Sequence, residues 1–151
     1  MPASRNAWDL LRKQLMGDFP LRRCVWLDPV RNRLVIGYGR VVDDDEGPGL
    51  YEDGLPEQML DNDIRRHEAK LIEVLPWTRR ICAARHAALI RLAFYPGLDW
   101  MIGPPPGALQ AAKEGQWETA ADALAVSVWA KSQPERAVGI VRQLRTGKWT
   151  T

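Results

Sequence analysis

Apolar residues recur at helical spacing along most of the chain, and one short region near the N-terminus has a different pattern. Trp8, Leu11 and Leu15 form a helical stripe, and Gly17 is expected to end that helix. β-branched and aromatic residues then cluster near 23–27 and 33–38, with turn-forming residues at 28–32 between them. The pattern predicts a first helix followed by a short antiparallel hairpin.

The rest of the chain has the periodicity of helices. Pro56 suits the first turn of a long helix that Pro76 stops. Ser132 and Glu135 have the spacing of a capping box, and Gly147 suits a left-handed helix end. The helices are predicted at about 56–75, 79–94, 108–114, 117–129 and 134–145.

One small sheet and about seven helices make an α+β protein that is predominantly helical. A chain of 151 residues has room for one domain, or for two small lobes that share a helix. We expect a sheet lobe at about 17–55, a bridging helix at about 56–75, and a helical lobe at about 76–151 that includes the N-terminal helix. A cleft between two lobes is a usual place for a ligand.

Charge and aromatic content indicate which kinds of ligand the protein could bind. The net charge is only +2 and the basic residues are scattered, which is not the footprint of a nucleic-acid-binding protein. Seven tryptophans are many for this length; most should fill the core, and one or two could line a site for sugar rings. The protein is expected to be a monomer.

Neither a metal site nor a disulfide is predicted. Cys24 and Cys82 are expected to be free thiols, and His67 and His86 lack metal-ligand spacing. No cofactor is implied. The sequence has no apolar run of bilayer length and no secretory signal, so we expect synthesis in the cytoplasm and no stable membrane insertion.

Several short motifs, in order and with matching spacing, resemble the phage-type lysozymes of the T-even kind. No single motif is specific, and the similarity covers nearly the whole chain. The matching residues are Trp26-x-Asp28, Val35-Ile36-Gly37-Tyr38-Gly39, Ala88-Leu89-Ile90-x-Leu92-x-Phe94, Gly115-x-Trp117, Trp129 with Arg136, and Arg145-Thr146-Gly147-x-Trp149.

The resemblance implies cleavage of the link between N-acetylmuramic acid and N-acetylglucosamine in peptidoglycan. Such hydrolysis needs one protonated carboxyl as acid and one ionised carboxylate. The family's aspartate maps onto Asp28, and its glutamate acid maps onto Asp18 if one residue is inserted, or onto Phe19 if none is. The family's threonine maps onto Val35, which has no hydroxyl.

Further positions follow from the same resemblance. The family's histidine maps onto Arg40, which we expect to pair with Asp63 in an interlobe ion pair. Substrate contacts are implied on the helical lobe, with structural packing as the alternative role. The positions concerned are Phe94, Tyr95, Trp129 and Arg136.

Two functional hypotheses remain open from the sequence. The protein is either a muramidase with a changed site, in which Asp18 is the acid and Asp28 the base or stabiliser, or a lysozyme homologue with little or no hydrolysis. The second kind would bind the wall or form part of a phage particle or secretion device. A third hypothesis is a glycosidase with a shifted mechanism, in which one of the carboxylates from Asp43 to Glu46 takes part in catalysis. Each hypothesis has the protein acting at the bacterial wall after release or within a virion.

Overall fold

The protein is mostly helical, with one small antiparallel sheet, in a computed structural model that describes residues 5–42, 55–103 and 107–150. The predominantly helical α+β class predicted from the sequence is therefore confirmed. The acidic run at 43–46 lies outside the described residues.

The described residues form eight α-helices, three strands and two short turns of other helical types. A 3-10 turn spans Pro76–Arg80 and a π-helical turn spans Ala93–Gly97. The strands are β1 (Arg22–Asp28), β2 (Arg33–Gly37) and β3 (Arg40–Val41). The helices are α1 (Arg5–Asp18), α2 (Leu55–Val74), α3 (Ala83–Leu92), α4 (Leu98–Ile102), α5 (Ala108–Lys113), α6 (Trp117–Ala125), α7 (Val128–Ser132) and α8 (Pro134–Thr146).

The chain divides into two compact units, which we describe separately. The sheet unit is Asp9–Arg66, and the helical unit combines Met1–Trp8 with His67–Thr151. The divisions fall inside α1 and α2, so each of these helices contributes residues to both units. The lobe boundaries expected from the sequence stay a prediction.

The sheet unit is built around the apolar stripe of α1. Leu11, Leu15 and Phe19 are spaced four residues apart, so they share one helical face, and all three are buried. Ile36 of β2 and Ile64 of α2 are also buried without measurable exposure. The apolar face of α1 therefore shares one core with the buried end of β2 and with α2.

The sheet has the order β1-β2-β3, and both pairings are antiparallel. Trp26 lies opposite Val35, and Leu27 lies opposite Leu34. The register is irregular between Arg22 and Trp26. The hairpin was predicted from the sequence, but the two-residue strand β3 was not.

The helical unit is organised around α3, most of whose residues are buried. The amide of Gln143 on α8 donates to the Ala84 carbonyl oxygen at 2.6 Å. The Arg85 guanidinium donates to the carbonyl oxygens of Leu144 and Arg145 at 2.8 and 3.0 Å. These carbonyls belong to the last turn of α8, where a cation and its donors are favourable.

Two local predictions in the helical unit are wrong. The expected helix at 117–129 is two helices, because Ser127 caps α7 by accepting a hydrogen bond from the Ala130 N–H at 3.2 Å. The expected capping box is absent at the start of α8, where Ser132 donates instead to the Trp129 carbonyl oxygen at 2.9 Å. The predicted left-handed end at Gly147 is confirmed, with φ of 69°.

The described residues contain no helix with the length and apolarity needed to cross a membrane. Within the same ranges, no three His, Cys, Asp or Glu side chains gather as a metal site would require. Cys24 and Cys82 are both exposed free thiols.

Candidate functional site

Asp28 ends β1 with its carboxylate engaged by the turn that follows. Its Oδ1 accepts hydrogen bonds from the backbone N–H groups of Val30 and Arg31 at 2.9 and 3.4 Å. Its Oδ2 accepts from Arg31 Nε at 2.7 Å. Burial raises the pKa of Asp28, but the hydrogen bonds from Arg31 and Val30 outweigh it and leave the pKa below its ordinary value. Asp28 is therefore an ionised, charge-paired carboxylate and is unsuited to act as a general acid.

Arg31 connects this carboxylate to the end of β2 and to α1. Its Nη1 donates to the Gly39 carbonyl oxygen at 3.1 Å. The guanidinium also lies over the Phe19 ring, 5.0 Å from the ring centroid. One side chain thus contacts the hairpin turn, the tight turn after β2 and the residue that follows α1. We call Phe19, Asp28, Arg31 and Gly39 the arginine cluster.

The close approach of Phe19 to Gly39 completes the arginine cluster. Gly39 has φ of +78°, a backbone conformation that disfavours side chains. A Cβ atom at this position would lie 2.7 Å from Phe19 Cγ and 2.8 Å from Phe19 Cβ. Glycine is therefore required at 39, both for the turn and because the Phe19 ring occupies the space beside it.

The two candidate positions for a catalytic acid have different surroundings. Asp18 is the last residue of α1 and is partly buried. Phe19 follows it and is buried, and its side chain has no group that can donate or accept a proton. The position that an unshifted alignment gives to the acid is thus filled by an aromatic ring that packs against Arg31 and Gly39.

Val35 is a core residue of the sheet. It is buried and pairs with Trp26 on one side and Val41 on the other. Its methyl groups cannot orient a water molecule through a hydrogen bond, as the threonine implied by the resemblance would. This position supplies apolar packing within the sheet unit.

The ion pair expected between Arg40 and Asp63 is present. Arg40 Nη2 lies 2.9 Å from Asp63 Oδ1, and Arg40 Nε lies 3.2 Å from both carboxylate oxygens. Arg66 Nη2 lies 3.2 Å from the same Oδ1. Both Arg40 and Asp63 belong to the sheet unit, and within it the pair joins β3 to α2. Its role as a contact between the predicted lobes stays a prediction.

The helical unit holds the other predicted contact residues. Phe94 and Tyr95 lie in the turn after α3, where the backbone leaves helical geometry at Tyr95 (φ −166°, ψ 126°). The Arg136 guanidinium lies 5.9 Å from the Tyr95 ring centroid, and the His67 and Phe94 centroids are 4.3 Å apart. Both aromatic rings are partly exposed, so each can offer a face to a ligand.

Trp129 does not share this exposure. It is buried in the helical unit with its ring centroid 6.0 Å from that of Trp100. Of the two roles considered from the sequence, the structural role fits Trp129. Arg136 and Tyr95, by contrast, retain partial exposure.

Sequence reasoning missed two polar clusters. Arg31 was not identified, although it follows Asp28 by only three residues and carries the opposite charge. His86 was expected to be an ordinary packed or surface histidine. It is buried, with Nδ1 2.7 Å from the Thr78 carbonyl oxygen and Nε2 3.0 Å from Glu68 Oε2. Burial raises the pKa of Glu68, but the hydrogen bond to His86, together with attraction from nearby positive charge, leaves it below its ordinary value.

A comparison with models of known protein families finds no match to this chain.

Proposed function

We propose that this protein is a lysozyme-like protein that binds the glycan of peptidoglycan with little or no hydrolysis. The observation that carries the proposal is the contact of Arg31 with both the Asp28 carboxylate and the Phe19 ring. The resemblance to phage-type lysozymes supports a peptidoglycan ligand. The arginine cluster favours the non-hydrolytic form of that assignment over an active muramidase.

The charge state of Asp28 argues against two-carboxylate catalysis. Its lowered pKa keeps it ionised, so it cannot donate a proton to a leaving oxygen. A carboxylate can instead stabilise positive charge that develops on the sugar. That role is weakened here because Arg31 Nε already donates to Oδ2 at 2.7 Å and neutralises its charge.

The other positions that the resemblance assigns to catalysis also favour a protein with little or no hydrolysis. Phe19 offers no carboxyl group, and Val35 offers no hydroxyl to hold a water molecule. Asp18 carries a carboxyl group, but its side chain is one methylene shorter than that of glutamate. Catalysis is sensitive to displacements of about 1 Å, so this substitution alone predicts a large loss of rate.

Glycan binding draws on side chains of the helical unit. Tyr95 offers a partly exposed ring with the Arg136 guanidinium nearby. Aromatic rings present flat apolar faces to sugars, and the hydroxyl and guanidinium groups can hydrogen-bond to sugar oxygens and peptide carboxylates. We assign Phe94, Tyr95 and Arg136 to ligand contact and Trp129 to the core.

The test measures binding and hydrolysis in parallel on purified peptidoglycan. We expect the protein to co-sediment with insoluble peptidoglycan and to release no soluble muropeptides. Tyr95→Ala should weaken co-sedimentation, whereas Val128→Ser, at a highly exposed position of α7, should not.

Two results would overturn this proposal. Muropeptide release by the unmodified protein that Asp28→Asn abolishes would show that Asp28 is catalytic, and the protein would be a muramidase. Failure to co-sediment with peptidoglycan would remove the glycan ligand altogether.

A further inference from the structure

A mainly apolar groove lies on the helical unit where α6, α7 and α8 meet, and it encloses about 550 Å³. Val138 of α8 lines this groove and is 60% exposed, whereas Ala137 and Val141 beside it are buried. The lining residues are Ala125, Ala130, Pro134, Ala137, Val138 and Val141, with Arg142, Arg145 and Thr146 toward the C-terminal end of α8.

The exposed face of α8 carries two opposite charges, one on each side of Val138. Glu135, Val138 and Arg142 follow one another at spacings of three and four residues, so they share one face of the helix. All three residues are exposed. We call Glu135, Val138 and Arg142 the α8 stripe.

Neither charge of the α8 stripe is compensated by a side chain of the described residues. Arg145, three residues beyond Arg142, is different: its Nη1 contacts the Glu118 carboxylate and its Nη2 lies 2.9 Å from Asp122 Oδ1. Within the described ranges, no such ion pair or hydrogen bond involves the Glu135 carboxylate or the Arg142 guanidinium. The stripe therefore offers one negative and one positive charge to a partner, about 10.5 Å apart along the helix axis.

We propose that the α8 stripe and its groove form the interface of a reversible homodimer with two-fold symmetry. A two-fold axis across the middle of α8 makes the two copies of this helix antiparallel and presents the same surface from both sides. Glu135 of one copy then faces Arg142 of the other, and the reverse pair forms on the opposite side of the axis. This assembly differs from the monomer expected from the sequence.

The positions along α8 fit this symmetry. In an antiparallel pair centred between Val138 and Gly139, position 135 of one copy lies opposite position 142 of the other. A parallel pair would instead bring like charges together. The Val138 side chains meet near the axis, each beside the apolar groove of the other copy. The contact involves one helix face and one groove on each copy, so we expect a small interface and rapid exchange.

Other occupants use only part of this surface. An anionic amphiphile could place an acyl chain in the groove and its headgroup at Arg142, but it would gain nothing from Glu135. A glycan would gain little from a groove lined by alanine and valine, because these side chains offer no flat face to a sugar ring. A second copy of the chain carries both charges at the required spacing, and this charge complementarity selects it.

The experiment is sedimentation velocity of the full chain at protein concentrations from about 1 μM to about 1 mM. We expect the average sedimentation coefficient to rise from the value of a monomer toward that of a dimer. No larger species should form, because an interface that uses the same surface on both copies closes on itself.

Charge-reversal variants test the pairing directly. Glu135→Arg and Arg142→Glu should each raise the dimer dissociation constant about tenfold or more, because each brings like charges together at two places. Glu135→Arg/Arg142→Glu restores opposite charges in reversed order, so its dissociation constant should return to within about threefold of the unmodified value. Val138→Ser should raise the constant about fivefold.

A matched control changes charge elsewhere on the helical unit. Lys113→Glu reverses the charge at an exposed position of α5, outside both the stripe and the groove, and should leave the dissociation constant unchanged. Urea unfolding at low protein concentration would verify that every variant folds.

Several outcomes would overturn the proposal. A chain that stays monomeric up to about 1 mM would remove the dimer. A dimer that both single charge reversals leave unchanged would use another surface, and a folded double variant that stays as weak as the single variants would show that Glu135 and Arg142 do not pair. Because the assay contains no glycan, its failure is distinct from failure of the proposed function.

Discussion

Replacing Arg31 with methionine tests the arginine cluster most directly. Methionine keeps a long apolar stem but loses the hydrogen bonds to the Asp28 carboxylate and the Gly39 carbonyl oxygen, and the contact with the Phe19 ring. The Arg31 and Asp28 side chains are only 9% and 14% exposed, so solvent screens their attraction incompletely. The variant therefore leaves a mostly buried carboxylate without its cation.

The expected loss follows from those contacts. A hydrogen bond to a charged group contributes about 1.5 kcal/mol or more, and a cation over an aromatic ring adds about 0.5 kcal/mol. Arg31→Met should therefore lower the free energy of unfolding by about 2–3 kcal/mol. For a chain of this size, a loss of about 2 kcal/mol corresponds to a fall in Tm of roughly 4–8 °C.

A double-mutant cycle isolates the charge pair. Asp28→Asn keeps an oxygen that can accept the Val30 N–H but removes the negative charge. At neutral pH, urea unfolding of Arg31→Met, Asp28→Asn and the double variant should give a coupling energy of about 1–2 kcal/mol. Lys13→Met, a change at an exposed lysine of α1, should alter stability by less than about 0.5 kcal/mol.

The pH dependence of the coupling has a defined sign. The pKa of Asp28 is lowered in the folded protein from its ordinary value of 3.8. The pair therefore stabilises the protein fully above that value, and its contribution disappears as the pH falls through the lowered pKa. A coupling energy near zero at neutral pH, or one that persists after Asp28 is protonated, would refute the charge pairing.

Two further changes test packing and charge elsewhere. Gly39→Ala should lower the unfolding free energy by about 2–4 kcal/mol, because position 39 has a positive φ and the new Cβ atom would clash with Phe19. The loss should be smaller when Phe19 is already replaced by alanine. Equal losses in the unmodified protein and in the Phe19→Ala variant would contradict the clash. Glu68→Gln should cost about 1–2 kcal/mol at neutral pH because it weakens the bond to His86. The folded-state pKa of Glu68 is lowered from 4.5, so the stability difference between Glu68→Gln and the unmodified protein should vanish as the pH falls through that lowered pKa. Urea unfolding at several pH values measures this difference, and a difference that stays constant with pH would contradict the role of the Glu68 charge.

Local patterns in the sequence predicted most of the secondary structure. The stripe of α1, the hairpin and the long helix α2 follow from periodicity, because side chains recur at fixed angles around a helix and alternate on a strand. Gly147 ends α8 as predicted because its left-handed conformation is a local property of glycine. The Arg40–Asp63 pair was also predicted, although from family resemblance and not from pattern.

The chemistry of the candidate site depended on contacts between residues distant in sequence. Periodicity could not show that Arg31 reaches Gly39 and Phe19, or that Trp129 is buried against Trp100. Nor could it distinguish one helix from two at Ser127, where a side chain competes with the backbone for hydrogen bonds.

The sequence alone determined the first helix, the β1–β2 hairpin, the long helix α2 and the apolar stripe of α1, since these follow from neighbours a few residues apart. The partner of Asp28 is local as well, because Val30 and Arg31 belong to the turn that follows it. Only the tertiary structure decided that Glu68 meets the buried His86, 18 residues further along the chain, and that Arg31 also reaches Gly39 and Phe19. These contacts depend on how helices and strands pack, which a local pattern does not specify.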